Sequence, residues 1–292
     1  VIYIIIPVHN RKAYTRQCLA SLRRQTYASF TVVVVDDGST DGTSAMIQAE
    51  FPEVVVLSGT GSLWWAGATN LGIQYALDRM PADADAFVLT LNDDTQVPPD
   101  YLTSLVDSWQ NHTPCVVGSI SVNIHQPDQL LYAGTRLNWF TARFTDLARI
   151  MYRNQLSQLK ASNQHAIDSD SLPGRGMLIH RSVISMVGLF DAHHFPQYLA
   201  DLDFSIRARR AGFPLRVSIS SLVYEHTETT GLSMDKARSW RSFWDSLFSV
   251  RSPVQLRIRY HFARLHAPSP PLFLLADLGR ILGGYLVRRL RR

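Results

Sequence analysis

Cysteine is nearly absent: Cys18 and Cys115 are the only two among 292 residues, and both lie in apolar surroundings. Neither belongs to a Cys-x-x-Cys pair or sits beside a cluster of metal-type ligands. That leaves no disulfide framework and no zinc-type motif, and it points to reduced core thiols in a cytosolic protein. The chain also lacks ~20 uninterrupted apolar residues, so no spanning helix is expected. It starts with strand material and has no charged region followed by a cleavage site, so no signal peptide is expected. Acid is missing from one place. Residues 280–292 hold five arginines (Arg280, Arg288, Arg289, Arg291, Arg292) and no carboxylate; setting them aside from the 29 basic residues leaves 24 against 24 acidic ones. A neutral body with a basic tail argues against a nucleic-acid-binding body and for a localised contact.

What is present is apolar material in strand-sized and helix-sized pieces. With 46% hydrophobic residues, the length suits one large α/β domain or two small ones. Val1 to Ile6 is a continuous apolar run ended by Pro7, and Phe30 to Val35 is a second. Val54 to Leu57, Ala86 to Leu91 and Cys115 to Val122 read as further strands. Lys12 to Gln25, Thr40 to Phe51 (capped by Asp41 or Thr40), Ala66 to Arg79 and Pro99 to Trp109 have helical spacing. Strands alternating with such helices predict βαβ units on a mostly parallel sheet. Residues 123–172 break the rhythm and read as a polar loop or excursion. A strand at Met177 to Ile179, helices at Arg181 to Val187 and Asp201 to Ala211, and a strand at Leu215 to Tyr224 follow. Pro268 to Pro271 reads as a hinge before a last helix, Leu272 to Arg292.

Two strands run directly into carboxylates: Phe30 to Val35 into Asp36-Asp37-Gly38-Ser39, and Ala86 to Leu91 into Asn92-Asp93-Asp94-Thr95. In open α/β sheets the ligand crevice forms at such carboxyl ends. Alternation along the strand would turn Asn92 and Asp94 one way and Asp93 the other. A carboxylate facing the crevice suits Mg2+ or Mn2+, which prefer oxygen ligands; a solvated strand-end turn is the competing reading. Trp64 and Trp65 suit stacking on a base or sugar, or core packing. Gly174-Arg175-Gly176 would let backbone approach a sugar or acceptor, with Arg175 available to an anion, or would be a plain turn. Gly59-Thr60-Gly61 has Trp64 where a dinucleotide fingerprint needs its third glycine, and it is set aside. The last helix carries Leu274, Leu278, Ile281, Leu282, Tyr285 and Leu286 at helical spacing ahead of a basic end. It would lie on an anionic membrane surface or pack on its own domain or a partner.

Pro7-Val8-His9-Asn10-Arg11, Asp36-Asp37-Gly38-Ser39, Asn92-Asp93-Asp94 and Asp201-Leu202-Asp203 occur in an order and spacing that resembles the family 2 glycosyltransferases over roughly residues 1–230. Trp64 to Gly72 resembles rhamnosyltransferase-type members. The resemblance implies a GT-A fold and inverting transfer of a sugar from a nucleotide donor. It implies that Pro7, Val8 and His9 line the nucleotide cleft, that Asp37 accepts from the base, and that Asp93 lies near the ribose or sugar. Trp65, Gly67 and Asn70 join the nucleotide-sugar contacts. Asp94 would bind the metal, with His226 completing the metal or diphosphate site. Asn92 stands where many relatives carry the first Asp of Asp-x-Asp, and Ala200 stands where they carry Glu. Asp201 remains as the base that takes the acceptor proton, against its reading as a helix cap. Gly174, Arg175, Gly176 and Asp203 would meet sugar or acceptor, Asp203 also being placed to stabilise the helix dipole.

The expected protein is therefore an α/β, GT-A-like transferase. Residues 1–265 would form the catalytic domain, with nucleotide-sugar contacts in residues 1–122 and acceptor contacts in residues 123–265, and residues 266–292 would form a basic amphipathic helix. Expected partners are Mg2+ or Mn2+, a UDP- or dTDP-sugar, a glycan or lipid-linked acceptor, and a membrane surface on the cytoplasmic side; nucleic acid is not among them. A processive synthase is disfavoured, because Trp240 follows Arg238-Ser239 with no Gln at the required offset. Two rivals stay open: an inactive sugar-nucleotide or glycan-binding protein, and a sugar-nucleotide pyrophosphorylase. The second would need a Gly-rich basic loop where Pro7-Val8-His9-Asn10 stands.

Overall fold

The computed structural model describes residues 1–81, 85–229 and 240–290. Its first half alternates β1 (Ile2–Val8), α1 (Lys12–Leu22), β2 (Phe30–Asp36), α2 (Thr43–Glu50), β3 (Val55–Ser58), α3 (Trp64–Leu77), β4 (Phe87–Thr90), β5 (Thr95–Gln96), α4 (Tyr101–Gln110) and β6 (Val116–Asn123). β1 pairs in parallel with β2 and β4, and β2 with β3. Ile2, Ile4 and Ile6 enter one core cluster, and Tyr3 and Ile5 the other. Both faces of β1 are thus covered, which is why it reads as a continuous apolar run instead of an alternating one. Gly72 lets α3 lie tight against this sheet, since a Cβ there would stand 2.4 Å from Ile5 Cγ2. Cys18 and Cys115 are buried free thiols, as the composition suggests.

The sequence reading places some strand ends wrongly. β1 runs through Pro7 to Val8, Pro7 standing opposite Val35, because proline's missing N–H costs nothing where that position makes no ladder bond. β4 stops at Thr90, so Leu91 to Asp94 form a turn and not a strand end. α2 takes Gly42 as its cap residue with φ +81°, while Asp41 accepts the Thr43 amide at 3.1 Å.

Residues 123–172 are an ordered layer. They contain β7 (Gln126–Tyr132), β8 (Thr135–Asn138), β9 (Arg143–Asp146), α5 (Leu147–Tyr152), α6 (Leu156–Ala161) and β10 (Ala166–Asp168). β11 (Met177–His180), α7 (Arg181–Val187), α8 (Ala200–Arg210) and β12 (Leu215–Glu225) follow. The large sheet runs β10-β12-β6-β11-β4-β1-β2-β3, with β5 on β12 and β7 on β6. β11 is antiparallel to both β4 and β6, while β12 is parallel to β6. Strands 1, 2, 3, 4, 6 and 12 therefore share one direction, and β11 alone reverses between them.

Three helices close the described chain: α9 (Trp240–Phe248), α10 (Leu256–His266) and α11 (Pro270–Leu290). The expected hinge is instead a short turn: Phe273 packs on Phe262 of α10, and buried Asp277 pairs with Arg259 at 3.3 Å. α11 is long and apolar enough, by length and composition, to cross a membrane, contrary to the sequence expectation. Counting uninterrupted apolar residues stops at Asp277 and Arg280, yet these two neutralise each other at 2.5 Å. Phe273, Ile281 and Tyr285 face the protein, whereas Leu272, Leu275, Leu282, Leu286, Val287 and Leu290 are exposed. Of the basic tail, Arg291 and Arg292 lie outside the described residues, as do Arg238 and Ser239.

Candidate active site

The carboxyl ends of β1, β2 and β4 open onto one region. At the first, His9 is exposed and its Nδ1–H donates to the Asp37 carbonyl at 2.7 Å. Asn10 zips this turn to the next: Asn10 N donates to Ser39 Oγ at 2.8 Å, and Thr40 N to Asn10 Oδ1 at 2.7 Å. Val8 is 3% exposed and belongs to the core, so it does not line a cleft. Pro7 is half-buried within β1.

Asp37 departs from expectation. Its Oδ1 accepts Gly61 N at 2.7 Å, and its Oδ2 accepts Leu63 N at 2.8 Å and Trp64 N at 3.1 Å. These are amides that the entry to α3 leaves without helical partners. A Cβ on Gly59 would stand 2.6 Å from Asp37 Oδ1, so the loop closes around this carboxylate. Asp37 thus shapes the wall beside the crevice from a buried position instead of meeting a base. Asn70 is likewise committed, donating to the Phe190 carbonyl at 2.8 Å and accepting its amide at 3.0 Å. Gly67 lies along α3 against Leu63.

The turn after β4 holds a second carboxylate pair. Arg11 Nη1 lies 2.6 Å from Asp94 Oδ2 and 3.3 Å from Asp93 Oδ1. Both acids therefore converge on one cation, and the alternation argument fails because β4 has already ended. Asp93 is 5% exposed; burial raises its carboxyl to about 7, aided by the charge of Asp94 and opposed by Arg11. Its Oδ2 is buried with no hydrogen-bond donor among the described residues. The Asp93 oxygen without a donor among the described residues, beside the Asp94 carboxylate, makes a donor set that fits a hard divalent cation. β5 then pairs antiparallel with β12, Thr95 opposite Glu225, and His226 N donates to the Asp94 carbonyl at 3.3 Å. The structure thus brings together two residues far apart in sequence that the family resemblance linked.

Trp65 joins the two sides. Its indole N–H donates to Asn92 Oδ1 at 3.2 Å, its amide donates to Gln197 Oε1 at 3.1 Å, and its ring meets Phe190 edge-on. Gly174 admits it: a Cβ there would stand 2.2 Å from Trp65 Cζ2. The Gly174 amide donates to Asp201 Oδ2 at 3.0 Å, and Leu202 N to Asp201 Oδ1 at 2.9 Å. Gly174 is therefore filled by the protein's own tryptophan and not by a sugar. Gly176, at φ +81°, faces Ser119 and Tyr101 in the core in the same way.

Asp201 is the second residue of α8 and does not cap it; Leu199 holds that place at φ +69°. Burial pushes the Asp201 carboxyl above the ordinary range, while the Gly174 and Leu202 amides and then Arg175 pull it back. Arg175 is paired with Glu225 and stands 5.9 Å over the Tyr132 ring. Asp203 turns away from the crevice: at 1% exposure it pairs with Arg207 at 2.8 Å and His266 at 2.8 Å, fastening α8 to α10. A carboxylate so enclosed does not reach an acceptor.

Sequence reasoning gave no role to Arg11, Gln197 or Glu225. Arg11 had a signal, as a cation four residues beyond Pro7 at a strand end; Gln197 and Glu225 acquire their partners only through the fold.

The sequence profile of Glycosyl transferase family 2 matches residues 3–172. The chain is 27% identical over 253 residues to N-acetylglucosaminyl-diphospho-decaprenol L-rhamnosyltransferase of Mycobacterium tuberculosis, covering 81% of this chain and 79% of that protein. Among solved structures, GalNAc-T7 with UDP, GalNAc and Mn2+ superposes with a TM-score of 0.60 at 15% identity, covering 98% of this chain and 58% of that one. Mannosyltransferase PcManGT of Pyrobaculum calidifontis, in complex with GDP-Man and Mn2+, superposes at 0.59 with 16% identity, covering 98% and 73%. At such identities the superpositions speak for the fold.

Proposed function

The chain belongs to the family 2 glycosyltransferases, and from that membership we propose that it moves one sugar from a nucleotide-sugar donor to a hydroxyl of a glycan or lipid-linked acceptor. The transfer inverts the anomeric centre and requires a divalent metal. UDP- and dTDP-sugars are the favoured donors, and residues 1–265 form the catalytic domain. The observation that carries this reading is the contact chain Asp93/Asp94–Asn92–Trp65–Gly174–Asp201. It holds a carboxylate pair and a separate half-buried carboxylate on two sides of one tryptophan.

Asp201 takes the proton from the acceptor hydroxyl. The acceptor oxygen forms its bond to C1 as the bond from C1 to the diphosphate oxygen breaks, and the nucleoside diphosphate leaves with that electron pair. A raised carboxyl in a low-dielectric setting is a stronger base than an exposed one. Asp94, next to His226, would hold the metal, which when bound neutralises charge on the leaving diphosphate. Arg11 keeps the two carboxylates of that turn together, and His9 stands at the exposed rim.

The test is nucleoside diphosphate release from a panel of UDP-, dTDP- and GDP-sugars with Mn2+ or Mg2+. Asp201→Asn is expected to lower release by about 10²–10⁴-fold. In the wild type, activity should fall as pH drops through the raised Asp201 carboxyl, an acid limb above the ordinary carboxylate range. Binding of a donor without release under any acceptor would favour the inactive binding protein, and no binding at all would sink the transferase.

We assign the membrane contact to α11. Its outward Leu275, Leu282 and Leu286, the Arg288 and Arg289 end, and neighbouring exposed Trp244 and Phe248 of α9 support a peripheral position on an anionic surface at the cytoplasmic face. Flotation with anionic vesicles, lost on Leu282→Glu with Leu286→Glu, tests it.

A further inference from the structure

Positive charge gathers on α10, which holds Arg257, Arg259 and Arg264 and no carboxylate. Arg259 is taken by Asp277 of α11. Arg257, His261 and Arg264 follow at steps of four and three, so they share one helix face. Against that face stands the segment between α7 and α8. His194 lies on His261 with ring centroids 4.4 Å apart, and His193 on His194 at 4.8 Å. Phe195 meets Phe262 at 6.5 Å, which seats the segment on α10. Among the described residues the one carboxylate in contact with this cluster is Asp191. It is already engaged: Oδ1 accepts His194 N at 3.0 Å, and Oδ2 accepts His194 Nδ1–H at 2.6 Å. The side chains of Arg257, Arg264, His193 and His261 make no hydrogen bond or ion pair among the described residues. Burial, and then the charges of His194, Arg257, Arg264 and His193, hold His261 below the ordinary imidazole range. Like charges set this close without an acid are relieved by an anion from outside.

We propose that Arg257, His261 and Arg264 of α10, with His193 and His194 facing them, form a binding site for a phosphate or diphosphate group. Guanidinium forks match phosphate oxygens, and the imidazole N–H groups add donors. The site is separate from the carboxylate crevice but leads to it. His194 stands three residues before Gln197, which accepts the Trp65 amide at 3.1 Å, and His266 ties α10 to Asp203 of α8 at 2.8 Å. α10 is followed directly by α11. The cluster therefore lies between the helix that carries Asp201 and the helix assigned to the membrane. A phosphate reaches that position as part of an acceptor molecule or as the headgroup of a bilayer lipid. Its binding does not rest on the transferase reading.

The competing account is a solvated basic helix face, with Arg264 serving the carbonyl end of α10. Such a face attracts anions diffusely and does not saturate. The experiment takes the full chain in EDTA, which silences metal-dependent phosphate binding at the crevice, and titrates it with pyrophosphate at constant ionic strength. Histidine Cε1–H resonances report the site by NMR. Those of His193, His194 and His261 should move together and saturate, while His112 on α4 stays in place. Arg257→Gln with Arg264→Gln should raise the half-saturating concentration at least tenfold, and His261→Gln serves if that double variant fails to fold. Shifts that never saturate, that spread equally to His112, or that survive the substitutions would overturn the site. Sedimentation with phosphatidic acid vesicles, against phosphatidylcholine alone, separates the two sources. Sedimentation lost in the double variant assigns a lipid headgroup; sedimentation unchanged or absent, with pyrophosphate binding lost, assigns a phosphate of the acceptor. Leu282→Glu with Leu286→Glu should leave the pyrophosphate titration as it is, so failure of the α11 contact is read apart from failure of this site.

Discussion

Two turns in this molecule carry adjacent aspartates after a buried parallel strand, and the fold treats them in opposite ways. At the end of β2, Asp36 accepts Ser39 N at 2.8 Å and the Ser44 hydroxyl, and Asp37 accepts three loop amides. After β4, Asp93 and Asp94 share one arginine, and an oxygen of Asp93 is left without a donor among the described residues. A carboxylate surrounded by local N–H groups is a structural clamp; one with an oxygen that has no donor among the described residues is poised for something from outside. The sequence presents both as strand-end acids, and the donor inventory around each tells them apart.

The sharpest way to test that difference is to remove one acid from each turn and measure activity and stability together. Asp94→Asn should lower nucleoside diphosphate release by on the order of 10²-fold, the charge neutralisation of a metal ligand being worth several kcal/mol. Its midpoint in urea should stay close to wild type. Asp37→Ala should do the converse in stability, orphaning three amides and lowering it by about 3 kcal/mol, the low end of ~1–3 kcal/mol per unsatisfied group because these amides belong to exposed or half-buried residues. If Asp94→Asn unfolds the protein while Asp37→Ala leaves it intact, the assignment of roles is reversed.

The same contrast explains what was legible beforehand. β1 to β4 could be read from their apolar runs, because a strand buried on both faces has no polar positions to interrupt it. The 123–172 layer could not, since β8 carries exposed Arg136 and Asn138 at alternate positions and β9 has Phe144 as its one apolar residue, so both look like loop. α9 and α10 went unnoticed: Arg257, Arg259 and Arg264 break the apolar stripe of α10, and Arg259 acquires its carboxylate partner, Asp277 of α11, through the fold. At the site, the residue types and the strand ends were visible. Which carboxylates were already engaged was not, because the partners of Asp37, Asn70 and Asp203 are set by folding and not by local spacing.

A finer probe is the pH dependence of stability. Asp93 has a folded carboxyl near 7 against an ordinary value near 3.8. Between those values the native state holds a proton that the unfolded chain has released. Stability from this group is therefore present at low pH and is lost as pH rises toward 7 and beyond. Wild type should thus lose about 1–2 kcal/mol between pH 5 and 8 from this source, discounting the full shift for coupling to Arg11 and Asp94. Asp93→Asn should flatten that slope. An unchanged slope would mean that Asp93 is no more strained than the saturated Asp36 and Asp37.

The smallest effect concerns Asn92, the residue that links the poised turn to Asp201 through Trp65. An aspartate there would also accept the indole N–H, and more strongly. It would put a third carboxylate beside two that already share one guanidinium, pushing Asp93 further up. Asparagine supplies the acceptor without the charge. Trp65→Phe removes the N–H together with the Cζ2 and Cη2 edge that lies on Gly174, so it should cost more than the ~1 kcal/mol of that hydrogen bond alone. A double-mutant cycle with Asn92→Ala should return a coupling of the hydrogen bond's size. A coupling near zero would mean that Asn92 holds nothing, and that the two sides of the crevice are joined by the packing of Trp65 on Gly174 alone.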